Sequence, residues 1–587
     1  MGGGGDFTVT LTKKEVVEAM LPMQEHCLLI LSKSGKPHVS RCDNVDSSGP
    51  LVYFFSCCFL ERMPYSSFSP SISVSQINET LPINPLLISS TNSHSLFFLF
   101  SLHLCFLLTH IHKYNSYLEI TGGGGDFTVT LTKKEVVEAM LPMQEHWLPL
   151  SNLDLLLPPV DVSVFFCYKN PHDQSVNGRH GFSFGSMVGA LKIAMSQALV
   201  SYYAFSGEVV SNSAGEPELL CNNRGVDFME AHADVRLENL NLYNPDVSIE
   251  GKLVPKKENG VLSVQVTELK CSGVVVACTF DHRIADAYSA NMFLVSWAEM
   301  AQSKPLSVTP AFRRSLLNTR RPGSYDPSFD NMYVPISALP PSKAPQPSAD
   351  PLMSRLYYVT AEQLSLLQML ATSKSSSCKR TKLESLSAFL WKMVAKSADL
   401  DDDNKKICKM GIVVDGRRRL SSGDEDKAAA MANYFGNVLS VPFGEKIIDE
   451  LKEKPLSWVG DAVHEYLEGA VTREHFLGLI DWVEAHRPEP AVAKIYCSGS
   501  NDGPAFVVSS GQRFPVSKVN FGWGRPALGS YHFPWGGEAG YVMPMPSPVR
   551  DGDWVVYVHL LKGQIELIET EAAHVFRPLT PEYLKLA

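Results

Sequence analysis

His282 and Asp286 are the residues whose types and spacing first suggest chemistry, in the pentad His282-Arg283-Ile284-Ala285-Asp286. An imidazole has an ordinary pKa of about 6.5 and takes a proton near neutral pH. A histidine at a strand end suits general-base work, because the strand fixes the backbone and the loop turns the ring to a cavity. The pentad alone is a weak sign. The chain holds 17 histidines, and a solvated loop histidine is the plainer reading. If both residues were helical, the carboxylate four positions on would share a face with the ring. The flanking pattern argues otherwise. Residues 274–280 are nearly all apolar and read as a buried strand. Residues 287–301 read as an amphipathic helix with Ala290, Phe293, Leu294, Trp297 and Ala301 on one stripe. His282 then precedes the helix, and Asp286 sits in its first turn, where a carboxylate favours the helix dipole.

Further motifs stand at wide intervals: Leu150-Ser151-Asn152-Leu153-Asp154, Tyr202-Tyr203-Ala204-Phe205-Ser206-Gly207, Tyr434-Phe435-Gly436-Asn437, and Asn520-Phe521-Gly522-Trp523-Gly524-Arg525-Pro526. In order and spacing these resemble the plant BAHD acyltransferases, which carry H-x-x-x-D and a C-terminal D-F-G-W-G. The resemblance runs from about Phe127 to the end. Wording around residues 146–150, 221–225 and 281–299 is most similar to the coniferyl alcohol acyltransferase branch.

The resemblance implies an α/β fold of two similar chloramphenicol-acetyltransferase-like domains, with mixed sheets flanked by helices and a channel between them. It implies acyl-CoA as co-substrate, entering from the second-domain side, with no bound cofactor and no metal. His282 would take the proton of an acceptor hydroxyl, which attacks the thioester directly without an acyl-enzyme. The expected reaction is acyl transfer to a phenylpropanoid alcohol such as coniferyl alcohol. The alternatives are another alcohol or an amine as acceptor, or a catalytically inactive relative or faulty gene-model product.

Other site residues also follow from the resemblance. Asp286 is expected to point away from substrate and pair with an arginine of the second domain. Motif position marks Arg417, in Asp415-Gly416-Arg417, as that partner. Ala287 replaces the usual Gly, a mild change in a helix. Asn520 stands where the family has Asp and is expected to leave a buried arginine without its countercharge, a loss of about 3–5 kcal/mol. Gly522 and Gly524 suit a tight turn, and Trp523 suits packing. Shikimate-using members carry Thr-Ser-Trp upstream, where this chain has Ser509-Ser510-Gly511. Losing the indole argues against shikimate and marks Ser509 and Gly511 as acceptor-pocket candidates.

Composition sets outer bounds. A net charge of −10 argues against nucleic acid as the main partner. The scattered cysteines form no C-x-x-C pair, which favours a reducing compartment such as the cytoplasm. A monomer is expected. The text of residues 316–350 turns to Pro, Ser, Arg and Asn and reads as a crossover linker. It separates an N-terminal acyltransferase domain, 122–315, from a C-terminal one, 351–587.

The front end is anomalous. Residues 2–26 and 122–146 are the same 25 letters. Phe127, Val129 and Leu131 alternate with threonines, which predicts one strand with one apolar face. The fold should have a single slot for it, and the first copy is a duplicate competitor. Residues 27–121 match no pattern of a folded repeat. Their most apolar part, 96–108, is too short for a bilayer span of about 20 residues, so no integral membrane span is expected. Residues 1–121 read as an extension made of a duplicated first exon plus translated non-coding sequence.

Overall fold

The computed structural model describes residues 127–170, 183–338, 350–373, 378–398, 406–497, 502–535, 537 and 539–586, together with two short strands near the N-terminus. The chain divides into two compact units, Met1–Leu108 and Thr109–Ala587. In the first unit, strands Cys27–Leu31 and Pro37–Arg41 pair antiparallel. The first copy of the duplicated segment and the apolar run 96–108 lie outside the described residues.

The second unit carries two large sheets. Its first half supplies β1 (Val129–Val137), β2 (Asp161–Tyr168), α1 (Phe184–Ser201), β3 (Val226–Ala233), β4 (Leu262–Leu269), β5 (Val274–Asp281) and α2 (Ala287–Ala301). Its second half supplies β6 (Leu352–Val359), α3 (Lys382–Lys396), β7 (Ile407–Ile412), β8 (Phe443–Ile447), α4 (Leu456–Ala470), α5 (Arg473–His486), β9 (Asp502–Val508), β10 (Leu528–His532), β11 (Gly540–Pro546), β12 (Trp554–Leu561) and β13 (Arg577–Pro578). The sheet orders are β10-β2-β5-β4-β3-β1 and β8-β7-β9-β11-β12-β6-β13. Each is mixed. β3 runs parallel to β4 in the first, and β9 runs parallel to both β7 and β11 in the second. β10, late in sequence, closes the edge of the first sheet by pairing antiparallel with β2.

Burial explains the elements that hold the site. Every residue of β5 is buried, as a central strand covered on both faces requires. α2 begins where Asp286 caps it, its carboxylate accepting from Ser289 N at 2.9 Å. By length and composition α1 is apolar enough to cross a membrane. Here its Met187, Leu191, Met195 and Leu199 lie in the core, and Trp297 of α2 donates from Nε1 to Leu191 O at 2.9 Å.

The duplicated segment's second copy forms β1, an edge strand, but its alternation does not hold. A bulge between Leu131 and Lys133 shifts the register against β3, and Leu131 is 48% exposed. A bulge puts two residues opposite one and swaps the faces only beyond it; Leu131 precedes it, still in register with Ala231, and lies exposed on the edge strand against what its spacing predicts.

Candidate active site

The site starts where β5 ends. Asp281 closes the strand, and its carboxylate accepts from Arg283 N, Nε and Nη2 at 2.9, 3.0 and 2.6 Å. His282 N donates to Val160 O at 2.9 Å. These contacts pin the chain on both sides of the imidazole. The ring lines a cavity of about 1290 Å³. The cavity wall takes Val162, Phe280 and Tyr531 from the first sheet and Ile412, Tyr541 and Met543 from the second. Burial holds the His282 imidazole below its ordinary pKa, against the opposing pull of its own carbonyl, Asp286 and Asp281. The neutral ring, which can accept a proton, therefore predominates near neutral pH.

Asp286 does not face that ring as a partner in a dyad. It is 1% exposed, and Arg417, 3% exposed, holds it with two hydrogen bonds: Nη1 to Oδ2 at 2.7 Å and Nη2 to Oδ1 at 3.1 Å. Arg417 Nη2 also donates to Ser289 Oγ at 3.0 Å and Gly436 O at 2.9 Å. Val438 N adds a bond to Asp286 Oδ2 at 3.2 Å. Burial disfavours the Arg417 charge, but Asp286 and Asp415 outweigh it and hold the guanidinium charged. Gly436 is needed where this clamp closes. Its φ is +145°, and a Cβ there would lie 2.8 Å from Arg314 Nη1.

A second set of contacts reaches the base from two motifs to which the sequence assigned no role. Asn437 Nδ2 donates to the carbonyls of His282 at 2.9 Å and Arg283 at 3.1 Å, and to Asp154 Oδ1 at 2.9 Å. Asn437 N also donates to Asp154 Oδ1, at 2.7 Å. Asp154 is fully buried and accepts from Ser151 N at 2.8 Å and Ser151 Oγ at 2.7 Å. The sequence signal for these residues was an Asp and an Asn standing in motifs rich in leucine and aromatic residues.

The turn at residues 520–526 lies apart from these contacts. Asn520 Oδ1 accepts from Gly522 N at 2.9 Å and Gly524 N at 3.1 Å, and Gln302 Nε2 donates to its carbonyl. Gly522 and Gly524 take φ of +109° and +116°, as a tight turn requires. Trp523 packs edge-on against Tyr168 at 6.1 Å. The expected orphan arginine is not found. Among the described residues the three buried arginines, Arg355, Arg380 and Arg417, each sit by a carboxylate: Asp246, Asp461 and Asp286. Arg525 is exposed. An amide oxygen caps this turn as a carboxylate oxygen would, so Asn520 removes no countercharge.

The two acceptor-pocket candidates separate. Ser509 lines the cavity, whereas Gly511 is not on its wall. Gly511 is pressed against β11, where a Cβ would come 2.7 Å from Pro544 O and 2.8 Å from Met545 Sδ. The rest of the wall is notably aromatic. Tyr496 meets Trp535 at 5.1 Å, Phe514 meets Tyr531 at 5.8 Å, and Phe533 meets Tyr541 at 5.1 Å, each ring lining the cavity. Arg418, Arg419, Arg513 and Lys518 also line it, each exposed.

A half-buried base on a cavity walled by two mixed sheets is the arrangement a two-lobed transferase needs. Comparison with known proteins agrees. The model of the Transferase family matches residues 127–575, and the chain belongs to this family, the BAHD acyltransferases. It is 26% identical over 442 residues to shikimate O-hydroxycinnamoyltransferase of Nicotiana tabacum, covering 73% of this chain and 95% of that one. It is 28% identical over 455 residues to a hydroxycinnamoyltransferase of Narcissus pseudonarcissus, covering 73% and 96%. Among solved structures, vinorine synthase matches with a TM-score of 0.56 at 18% identity, over 76% of this chain and 98% of the other. F. sporotrichioides TRI101 complexed with coenzyme A and T-2 matches with a TM-score of 0.59 at 15% identity, over 73% and 99%. These two establish the shared fold.

Proposed function

We propose that this protein transfers an acyl group from acyl-CoA to the hydroxyl of a phenylpropanoid alcohol of the coniferyl type. The observation that carries the reading is the place of the His282 imidazole on the wall of the large aromatic-lined cavity, where burial favours its neutral form. The ring takes the acceptor's O–H proton as the oxygen attacks the thioester carbonyl. The new C–O bond forms, the tetrahedral intermediate collapses, and the C–S bond breaks. The imidazolium returns the proton to the departing thiolate. No protein nucleophile enters. The apolar wall limits water, which would otherwise hydrolyse the thioester.

The donor reading draws support from the four exposed cations on the cavity wall, which suit the phosphates of coenzyme A. It also draws on the structural relative named as a complex with that compound. The acceptor reading rests on the aromatic pairs, which favour a flat ring, and on Gly511. The space at Gly511 admits no Cβ, so an indole of the kind that shikimate-using members carry has no place on this backbone. Asn520 gives no reason to treat the chain as inactive, since it makes the bonds its turn needs.

The test is an assay of the purified chain with acetyl- and hydroxycinnamoyl-CoA against coniferyl alcohol, shikimate, aliphatic alcohols and amines, read by mass spectrometry. Turnover is expected with the phenylpropanoid alcohol in preference to shikimate. A folded protein that turns over shikimate best would overturn the acceptor assignment, and one inert to every pair would overturn the activity.

A further inference from the structure

A general base works only when the nitrogen facing the substrate is the one without a proton. Asp286 is otherwise engaged: Oδ1 accepts from Arg417 Nη2 and Ser289 N, and Oδ2 from Arg417 Nη1 and Val438 N. Two buried polar atoms of this region have no hydrogen-bond partner: His282 Nδ1 and Asn437 Oδ1. One can donate and the other accepts. Buried polar atoms left unpaired cost free energy, and these two belong to residues already bonded through Asn437 Nδ2 and the His282 carbonyl at 2.9 Å.

The orientation of the Asn437 amide is not arbitrary. Its Nδ2 has three acceptors around it, the Asp154 carboxylate and the carbonyls of His282 and Arg283. Turning the amide over would set its oxygen against all three. Asp154 thus forces Oδ1 to the other side. The resting geometry falls short of a hydrogen bond between Oδ1 and the ring, yet the Asn437 side chain already draws the imidazole toward its protonated form, as does the histidine's own carbonyl. Asn437 also grips that carbonyl.

We propose that Asn437, set by Asp154, is a positioning residue that keeps the His282 proton on Nδ1 and leaves Nε2 as the base facing the cavity. A neutral amide suits this task. It can receive the Nδ1 proton in a bond without the strong pull of a carboxylate, so the ring stays neutral and basic. The inference rests on His282 being the base.

The experiment uses the full chain labelled with ¹⁵N-histidine, with His282 assigned by difference against His282→Gln. The parent protein is expected to show His282 protonated on Nδ1. In Asn437→Ala that tautomer preference is expected to weaken, with kcat falling about 10²-fold and KM little changed, since a misplaced base forfeits part of the about 10²–10⁴-fold that it supplies. Asp154→Asn, which frees the amide to turn, should give the same kind of change to a smaller extent. Protonation on Nε2 in the parent overturns the proposal even if no variant folds. A folded Asn437→Ala that keeps both its kcat and its tautomer overturns it as well. If His282→Gln itself retains turnover, the base assignment is what has failed.

Discussion

The loop at His282 and the turn at Asn520 are both conspicuous in sequence, yet the molecule uses them in different ways. The first ends a buried central strand, points its ring into the cavity and is gripped from two distant motifs by Arg417 and Asn437. The second folds Asn520 Oδ1 back onto two of its own backbone N–H groups, takes one bond from Gln302, and packs its indole on Tyr168. A short motif can therefore mark chemistry in one place and a corner in another. What separates them is whether the polar atoms face a cavity or fold back on their own backbone.

That contrast can be tested by substitution. Removing the imidazole with His282→Ala should lower kcat by about 10²–10⁴-fold, the contribution of a general base, with little change in melting temperature. Retained turnover in steady-state assays would erase the distinction at its strongest point. Arg417→Ala should destabilise by about 3–5 kcal/mol, because it strands the buried Asp286 carboxylate, and chemical denaturation would measure it. Trp523→Ala in the turn should also cost about 3–5 kcal/mol as a cavity-forming change, while the protein that remains folded keeps its kcat. A loss of kcat there would make the corner part of the chemistry.

Acid should act on stability through two other histidines. Burial of His559 and partial burial of His475 push both down to about 4. Unfolded, they titrate near the ordinary value of about 6.5. Between those values the unfolded chain binds more protons than the folded one, so stability should fall as pH drops from about 6.5 toward 4. His559→Asn should flatten that part of a melting-temperature profile. The smallest effect belongs to Asn520→Asp. Either oxygen type can accept from Gly522 and Gly524, so the change should stay within about 0.5 kcal/mol, and a gain of several kcal/mol would revive the missing-countercharge reading.

Much of the site's frame was legible in the text of the chain. The nearly all-apolar run 274–280 identified a strand buried on both faces, and the stripe after Asp286 matched the helix that forms, Ala287–Ala301. Other features were not legible, for identifiable reasons. The bulge at Leu131 depends on the partner strand. The grip of Asn437 on His282 joins an amide to backbone carbonyls, which leave no mark in residue type. The Asn520 expectation failed because resemblance supplied an arginine partner that this turn does not need. The sheet that β10 joins is a matter of topology, and its five residues read like any short strand.

That last strand has a consequence for how the protein can be divided. β10 lies in sequence after most of the second sheet, yet it borders β2 of the first. A polypeptide severed between Ala338 and Asp350 would yield a front fragment missing an outer ribbon and a rear fragment with that ribbon unpartnered. Neither should be an autonomous globule, but mixing the two should reconstitute one particle, latched by the register of Leu528 on Cys167 and His532 on Ser163.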